Sequence, residues 1–182
     1  NVSNTGFYIR KFISEASGYT LRNYAENWWP WFRLGEIYLN AAEAAFELND
    51  EPTALPYINR LRQRAGFPAN SLTSLTIEKI QNERRVELAF EDHRYFDMKR
   101  WRIADITWNG NIDNDKAIVY GLYPYRIAVA KPGTQDQDKY IFVKTRSERF
   151  KVARTFQQSN YYSFIADDVI NNNPTIVKNP FQ

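Results

Sequence analysis

Apolar side chains recur at helical spacing in the first third of the chain, and this recurrence constrains the fold more than any other feature. The residues that share the pattern are Leu34, Ile37, Tyr38, Ala41, Ala42, Ala45 and Phe46. Spacing of i, i+3 and i+4 places such residues on one face of an amphipathic helix. The pattern therefore predicts a helix over 31–48, with Pro30 at a position where the first turn tolerates proline.

A second helix is predicted directly after the first. Asp50 can cap free N–H groups, and Pro52 suits a first helical turn. The helix should run over 52–65 and end at Gly66, in the left-handed conformation that glycine adopts easily. Two helices joined by so short a turn form an α-hairpin with facing inner sides.

The first helix also carries a repeat signature. The pattern Trp31-x-x-Leu34-Gly35-x-x-Tyr38 fits the first helix of a tetratricopeptide repeat. In that arrangement Leu34 and Tyr38 face inward, and Gly35 lets the partner helix approach closely. One such unit cannot bury both of its faces, so we expect further helices to cover it.

The remaining segments are more irregular. A third helix is predicted over 76–91, capped by Ser74 or Thr76, and a fourth over 93–102. Residues 1–29 lack helical periodicity, although 6–13 has the composition of a short extended segment. Segments rich in Ile, Val, Tyr and Phe predict short strands at 117–130, 139–144 and 150–155.

The predicted fold class is mainly α, with tetratricopeptide-like helix hairpins, irregular loops and a few short β-strands. We expect one domain over 1–182. It would contain a helical part at 30–102, a part of loops and short strands at 103–160, and an irregular tail at 161–182.

Composition excludes several classes of protein. Hydrophobic residues make up 43% of the chain and charged residues 25%, which is globular composition. The net charge of +3 is small and the basic residues are scattered, which argues against nucleic acid as a partner. The chain has no Cys, so disulfides and Cys-based metal sites are excluded. No apolar stretch reaches the roughly 18 residues that a membrane span needs.

Charged residues cluster on the third and fourth helices, between Glu83 and Arg100. Some share helical stripes with apolar residues, where an unpaired charge is costly. We therefore predict a structural ion-pair network that docks the third and fourth helices against the repeat, with pairs that can form three residues apart. Its members are Arg84, Glu87, Glu91, Arg94, Asp97 and Arg100.

Catalysis and metal binding are weaker interpretations of the same cluster. Glu83, Glu87 and Glu91 are spaced four residues apart, and a glycosidase needs two carboxylates. However, neighbouring arginines would keep these groups ionised, which is unsuited to a general acid. His93 is the sole histidine, and no metal-ligand motif surrounds it. We predict no catalytic residues, no metal site and no cofactor, since no phosphate-binding loop, dinucleotide fingerprint or serine nucleophile motif occurs either.

Four segments resemble motifs of the SusD/RagB family, in that family's order. Residues 33–44 resemble its RLAEIYLNYAEA motif, and residues 58–66 resemble IN.VR.RAG. Residues 83–101 resemble ERR.ELAFEG.R..DL.RW, and residues 164–180 resemble the closing PIP..EI..NP.L.QNPGY. The chain is therefore similar to the C-terminal portion of a SusD/RagB outer-membrane nutrient-binding lipoprotein.

The chain departs from these motifs at a few positions. Asp92 stands where the family has Gly, which alters the link between the third and fourth helices. Residues 164–166 keep only part of the PIP turn, and residues 181–182 replace the closing Gly-Tyr. These departures affect loop shape rather than family membership.

The resemblance implies a function, a location and a partner. Members of the family capture a polysaccharide or oligosaccharide, or in some cases a peptide, on the external face of the outer membrane. They close over a SusC-type TonB-dependent transporter and are attached to the membrane by an N-terminal lipid. We expect that anchor to lie upstream of this chain, because the chain has no signal peptide or lipid-attachment motif.

Aromatic residues in loops are the candidates for glycan contact, because aromatic rings combine an apolar face with a polar edge. They are Trp28, Trp29, Trp108, Tyr123 and Tyr125. Two alternatives remain open at this point. The chain could be a protein-interaction module that docks the transporter while the ligand site lies elsewhere, or, more remotely, a glycoside hydrolase.

Overall fold

The structure is a computed structural model that describes residues 3, 7–14, 28–109, 118, 120–128, 132–147, 154–173 and 175–181. The chain divides into two compact units. One unit is Lys11–Asp97, and the other combines Asn1–Arg10 with Met98–Gln182. The division lies inside the predicted helical part rather than at its end, and a single domain over 1–182 stays a prediction.

Lys11–Asp97 is built from helices. Helix α1 spans Leu34–Glu47, α2 spans Glu51–Arg64 and α3 spans Ile77–Glu87. Helix α4, His93–Arg100, begins in this unit. All four predicted helices are thus confirmed, and α1 packs antiparallel to α2 as a tetratricopeptide-like hairpin, with α3 against α1.

The predicted caps explain where these helices begin and end. Asp50 accepts a hydrogen bond from the N–H of Thr53 at 3.1 Å, and Thr76 accepts one from Lys79 at 3.3 Å. Gly66 follows α2 with a φ of +96°, a backbone conformation that favours glycine.

The core of this unit lies between α1, α2 and α3. Its fully buried members are Leu39, Ala42, Ala54, Ile58 and Ile80. The predicted inward positions of Leu34 and Ile37 are wrong, because these side chains are 62% and 48% exposed. The buried face of α1 is centred on Leu39 and Ala42, and Leu34 and Ile37 lie to one side of it.

The second unit contains short elements. Helix α5 spans Ala104–Trp108, β1 spans Tyr120–Arg126 and β2 spans Tyr140–Arg146. The strands pair antiparallel, with Tyr123 opposite Val143 and Tyr125 opposite Ile141. They confirm the predicted strands at 117–130 and 139–144 within the described residues.

Other predictions for this unit are corrected. Residues 154 and 155 are not in a strand, while the rest of the predicted strand at 150–155 lies outside the described residues. The predicted irregular tail contains helix α6, Asp167–Asn172, and the last residue of a 3-10 helix, Gln158–Tyr161, that begins before it. Aspartates in the first turn favour α6 through the helix dipole, a local signal that its asparagine-rich composition obscures.

Two further segments also differ from expectation. Helix α5 lies where loops and strands were predicted, because Ala104 packs into a small core with Met98 and Phe156. Residues 7–14 form no strand, and a turn at residues 11 and 12 replaces the expected extended segment. None of the described helices has the length and apolar character needed to cross a bilayer.

Candidate functional site

An arginine at the start of α1 is the centre of the charged cluster in the helical unit. Arg33 precedes the helix in an extended conformation. Its Nε and Nη2 donate to the Glu91 carboxylate at 2.8 and 2.9 Å, and Nη2 also donates to the Glu87 carbonyl at 2.7 Å. Arg33 pairs in addition with the Glu87 carboxylate, and Lys11 pairs with Glu91.

These contacts keep Arg33 and Glu91 charged. The Glu91 hydrogen bond raises the pKa of Arg33 above its usual range, against the opposing effect of burial. Burial alone would raise the pKa of Glu91, but hydrogen bonds from Arg33 and Lys11 outweigh it and lower that pKa. Glu91 is therefore held as a carboxylate.

A second buried group lies around Arg84. Its Nε donates to Asp97 Oδ2 at 2.7 Å and its Nη1 donates to Asn40 Oδ1 at 2.7 Å. Glu36 lies 3.8 Å from Arg84 and 3.7 Å from His93. The side chains of Arg84 and Asp97 are each only 6% exposed, so this pair is shielded from water.

Arg84, Glu87 and Glu91 have their partners in distant segments rather than three residues along the helix. Arg84 reaches α1 and α4, while Glu87 and Glu91 bind Arg33. Burial and the nearby charge of Arg85 lower the pKa of Arg94, which the charge of Asp97 partly opposes.

In the other unit, Arg100 lies 4.5 Å from the ring centre of Trp101. Sequence reasoning missed several partners in the helical unit, namely Lys11, Arg33, Glu36, Asn40 and Arg64. All of them except Lys11 lie within the quoted family motifs, and that membership is the signal that could have identified them.

Gly35 makes room for the charged cluster. A Cβ at this position would lie 2.4 Å from Arg33 Nη1 and 2.9 Å from Glu87 Oε1. Its nearest neighbours are thus the paired side chains, and not the backbone of a partner helix as expected from the repeat signature. A glycine here lets the ion pair cross the first turn of α1.

A cleft of about 630 Å³ opens beside this cluster, between the start of α1 and the end of α2. Its polar lining comes from Arg33, Arg60, Gln63 and Arg64, and its apolar lining includes Leu34, Tyr38 and Leu61. Arg64 Nη2 is held by both Glu87 carboxylate oxygens, at 2.6 and 2.7 Å. The volume falls within the range of small-ligand sites.

Two of the predicted aromatic candidates lie together on the β-hairpin formed by β1 and β2. Tyr123 and Tyr125 are two residues apart on β1, so their side chains are on the same face. The register adds Val143 and Ile141 to that face. Tyr125 is 59% exposed, so its ring is available to a ligand.

The three tryptophan candidates have different surroundings. Trp28 is 89% exposed, and Trp29 lies against Phe12 with ring centres 5.1 Å apart. Trp108 ends α5 rather than lying in a loop, and it packs against Phe156 at 5.9 Å beside the small core. Of the three, Trp108 has the least surface to offer a glycan.

Within the described residues, no three His, Asp or Glu side chains lie close enough together to hold a metal ion.

The chain is similar to known proteins and to a solved structure. The model of the SusD family matches residues 1–181. SusD-like proteins P25 and P2 of Formosa agariphila are 43% identical over 79 residues and 34% identical over 117 residues. These matches cover 40% and 57% of this chain, but 15% and 23% of the relatives.

A solved structure agrees with this relationship. A SusD-like protein from Bacteroides fragilis superposes with a TM-score of 0.58 at 30% identity, over 85% of this chain and 26% of the other. The chain thus spans about a quarter or less of the length of these relatives. The family resemblance read from the four motifs is confirmed, and the chain belongs to the SusD family.

Proposed function

We propose that this chain is part of a non-catalytic cell-surface protein that binds a polysaccharide or oligosaccharide. It would act on the external face of the outer membrane, attached by an N-terminal lipid, and deliver the glycan to a SusC-type TonB-dependent transporter. The observation that carries the proposal is membership of the SusD family along 1–181.

An aromatic face on the β-hairpin of β1 and β2 supports the proposal. Tyr123 and Tyr125 form an i, i+2 pair on one face, flanked by Ile141 and Val143. Rings on such a face can stack against the apolar C–H side of a sugar, while the phenol groups remain available for hydrogen bonds. This arrangement favours an extended glycan lying along β1.

The state of the carboxylates supports a role without catalysis. Glu83 pairs with Arg62, and Glu87 and Glu91 both pair with Arg33. A glycosidase needs one carboxylic acid that stays protonated near neutral pH. Glu91, whose pKa is lowered despite burial by hydrogen bonds from Arg33 and Lys11, does not meet that need.

Isothermal titration of the full chain with a panel of neutral and acidic glycans tests the proposal. We expect saturable binding without release of shorter sugars. Tyr125→Ala should weaken binding, because it removes an exposed ring from the proposed face. Tyr140→Ala is the matched control, since Tyr140 is 53% exposed on the opposite face of the same hairpin.

Two results would contradict the proposal. Sugar release at catalytic rates would show that the protein is an enzyme. Equal losses of glycan affinity for Tyr125→Ala and Tyr140→Ala would contradict the assignment of the site to the face that carries Tyr125. The first result concerns the function and the second concerns only the location of the site.

A protein-interaction role is the second candidate, and one observation favours it. Leu34 and Ile37 on α1 and Leu48 just after it are exposed apolar side chains. Exposed apolar surface of this kind marks protein contacts. If the chain binds no glycan but binds the transporter, and a charged residue at Ile37 abolishes that binding, this role replaces glycan capture.

A further inference from the structure

The cleft between α1 and α2 carries an excess of positive charge. None of the described residues that line it is acidic, whereas Arg33, Arg60 and Arg64 all line it. The carboxylates behind it, Glu87 and Glu91, are already bound by Arg33, Arg64 and Lys11. Among the described residues of the cleft and of the cluster behind it, there are therefore four cations and two carboxylates. The cations are Arg33, Arg60, Arg64 and Lys11.

Arg60 is the lining cation that has no partner within the cluster. It is exposed near the end of α2 and makes no hydrogen bond or ion pair with any described residue. Arg33 and Arg64, by contrast, are fixed in place by Glu87. A planar guanidinium is suited to two parallel hydrogen bonds with a carboxylate or a sulfate.

The rest of the lining suits a sugar ring. Tyr38 and the exposed Leu34 contribute an aromatic and an aliphatic surface, and Gln63 contributes an exposed amide. Tyr38 is itself positioned by the ring of Tyr57, with centres 5.8 Å apart. An apolar wall beside a few convergent polar groups is the usual composition of a small-ligand site.

We infer that this cleft binds a saccharide unit that carries an oxyanion, either a carboxylate or a sulfate ester, through Arg60. The inference rests on the proposed function and adds a substrate class to it, acidic glycans. The site is formed by α1 and α2 and is separate in sequence from the β-hairpin of β1 and β2.

Titration calorimetry of the full chain with three matched ligands tests the inference. The ligands are an oligogalacturonate, a sulfated galactose oligomer and the neutral galactose oligomer of the same length, each measured at low and high NaCl. The variant is Arg60→Ala, and the control is Arg85→Ala, because Arg85 is an exposed arginine on α3 outside the cleft.

We expect at least one acidic oligomer to bind about tenfold more tightly than the neutral one, which corresponds to about 1.4 kcal/mol. Arg60→Ala should remove most of that advantage while Arg85→Ala keeps it, and NaCl should weaken acidic binding more than neutral binding. The two acidic ligands then show which oxyanion is preferred.

The contrary results separate the two claims. Equal affinity for acidic and neutral oligomers, or equal effects of Arg60→Ala and Arg85→Ala, overturns the cleft assignment and leaves glycan binding intact. Tight binding of inorganic sulfate alone, with no gain from the attached sugar, also overturns it. Absence of binding to every glycan overturns both the assignment and the proposed function.

Discussion

Replacing Arg84 by methionine should destabilise the helical unit strongly. The substitution keeps an unbranched apolar stem but removes the guanidinium that donates to Asp97 and Asn40, each at 2.7 Å. It leaves Asp97, which is 96% buried, without the nearest cation. Burial makes that loss costly because little water can take the place of the guanidinium.

The magnitude follows from the two bonds. A charge-assisted hydrogen bond contributes roughly 1.5–3 kcal/mol, and a bond to a neutral amide contributes about 1 kcal/mol. Arg84→Met should therefore lower the free energy of unfolding by about 2.5–4 kcal/mol, which overlaps the range of about 3–5 kcal/mol for breaking a buried pair. Such a loss is a large part of the stability of an ordinary domain.

Urea unfolding followed by far-UV circular dichroism measures this loss, because α1, α2 and α3 contribute most of the helical signal. Arg85→Ala serves as the control and should change the free energy of unfolding by no more than about 0.5 kcal/mol. A double-mutant cycle with Asp97→Asn should give a coupling energy of about 2 kcal/mol. A loss for Arg84→Met no larger than that of the control would refute the role assigned to the buried pair.

Three further predictions concern the same unit. The free energy of unfolding should fall as the pH drops below about 4.5, the ordinary pKa of Glu91. The folded protein lowers that pKa, so the unfolded chain binds the proton first. In urea titrations at several pH values, Glu91→Gln should flatten that fall. Asn59→Ala should lower the free energy of unfolding in urea by about 2–3 kcal/mol. The buried side-chain amide of Asn59 donates to the C=O of Leu72 and accepts from its N–H, both at 2.9 Å. A loss under about 1 kcal/mol would contradict this. Asp92→Gly should stabilise the protein by about 0.5 kcal/mol and so raise the melting temperature slightly, because Asp92 has a φ of 61°. An unchanged or lower melting temperature would show that the strain is compensated.

The helices were predictable because their signals are local. Periodicity, the Asp50 and Thr76 caps and the glycine at 66 act within a few residues, so the sequence alone placed α1 to α4. The inward positions of Leu34 and Ile37 were mispredicted because periodicity identifies an apolar side without telling which part of it meets a partner.

The charged cluster was only partly predictable. Burial of charge on the third helix implied that Arg84 needed partners, but Arg33 and Glu91 lie 58 residues apart in sequence. Pairing over that distance depends on how α1 and α3 pack, which spacing along one helix does not encode. The same applies to Gly35, whose role depends on the path of the Arg33 side chain.

The departure at Asp92 has a structural explanation that the sequence only suggested. Asp92 adopts a left-handed backbone conformation between α3 and α4, with a φ of 61°. Glycine adopts this conformation without steric cost, and aspartate tolerates it better than most residues do. The backbone of this chain at residue 92 therefore has a conformation that the family's usual glycine would adopt easily.

Calorimetric titration of the full chain with a glycan panel, combined with analysis of the sugars afterwards, tests the central claim most directly. Our account predicts saturable heat with at least one polysaccharide or oligosaccharide and an unchanged sugar profile. Release of shorter sugars at catalytic rates, or no binding to any glycan while the chain binds the transporter, would contradict it.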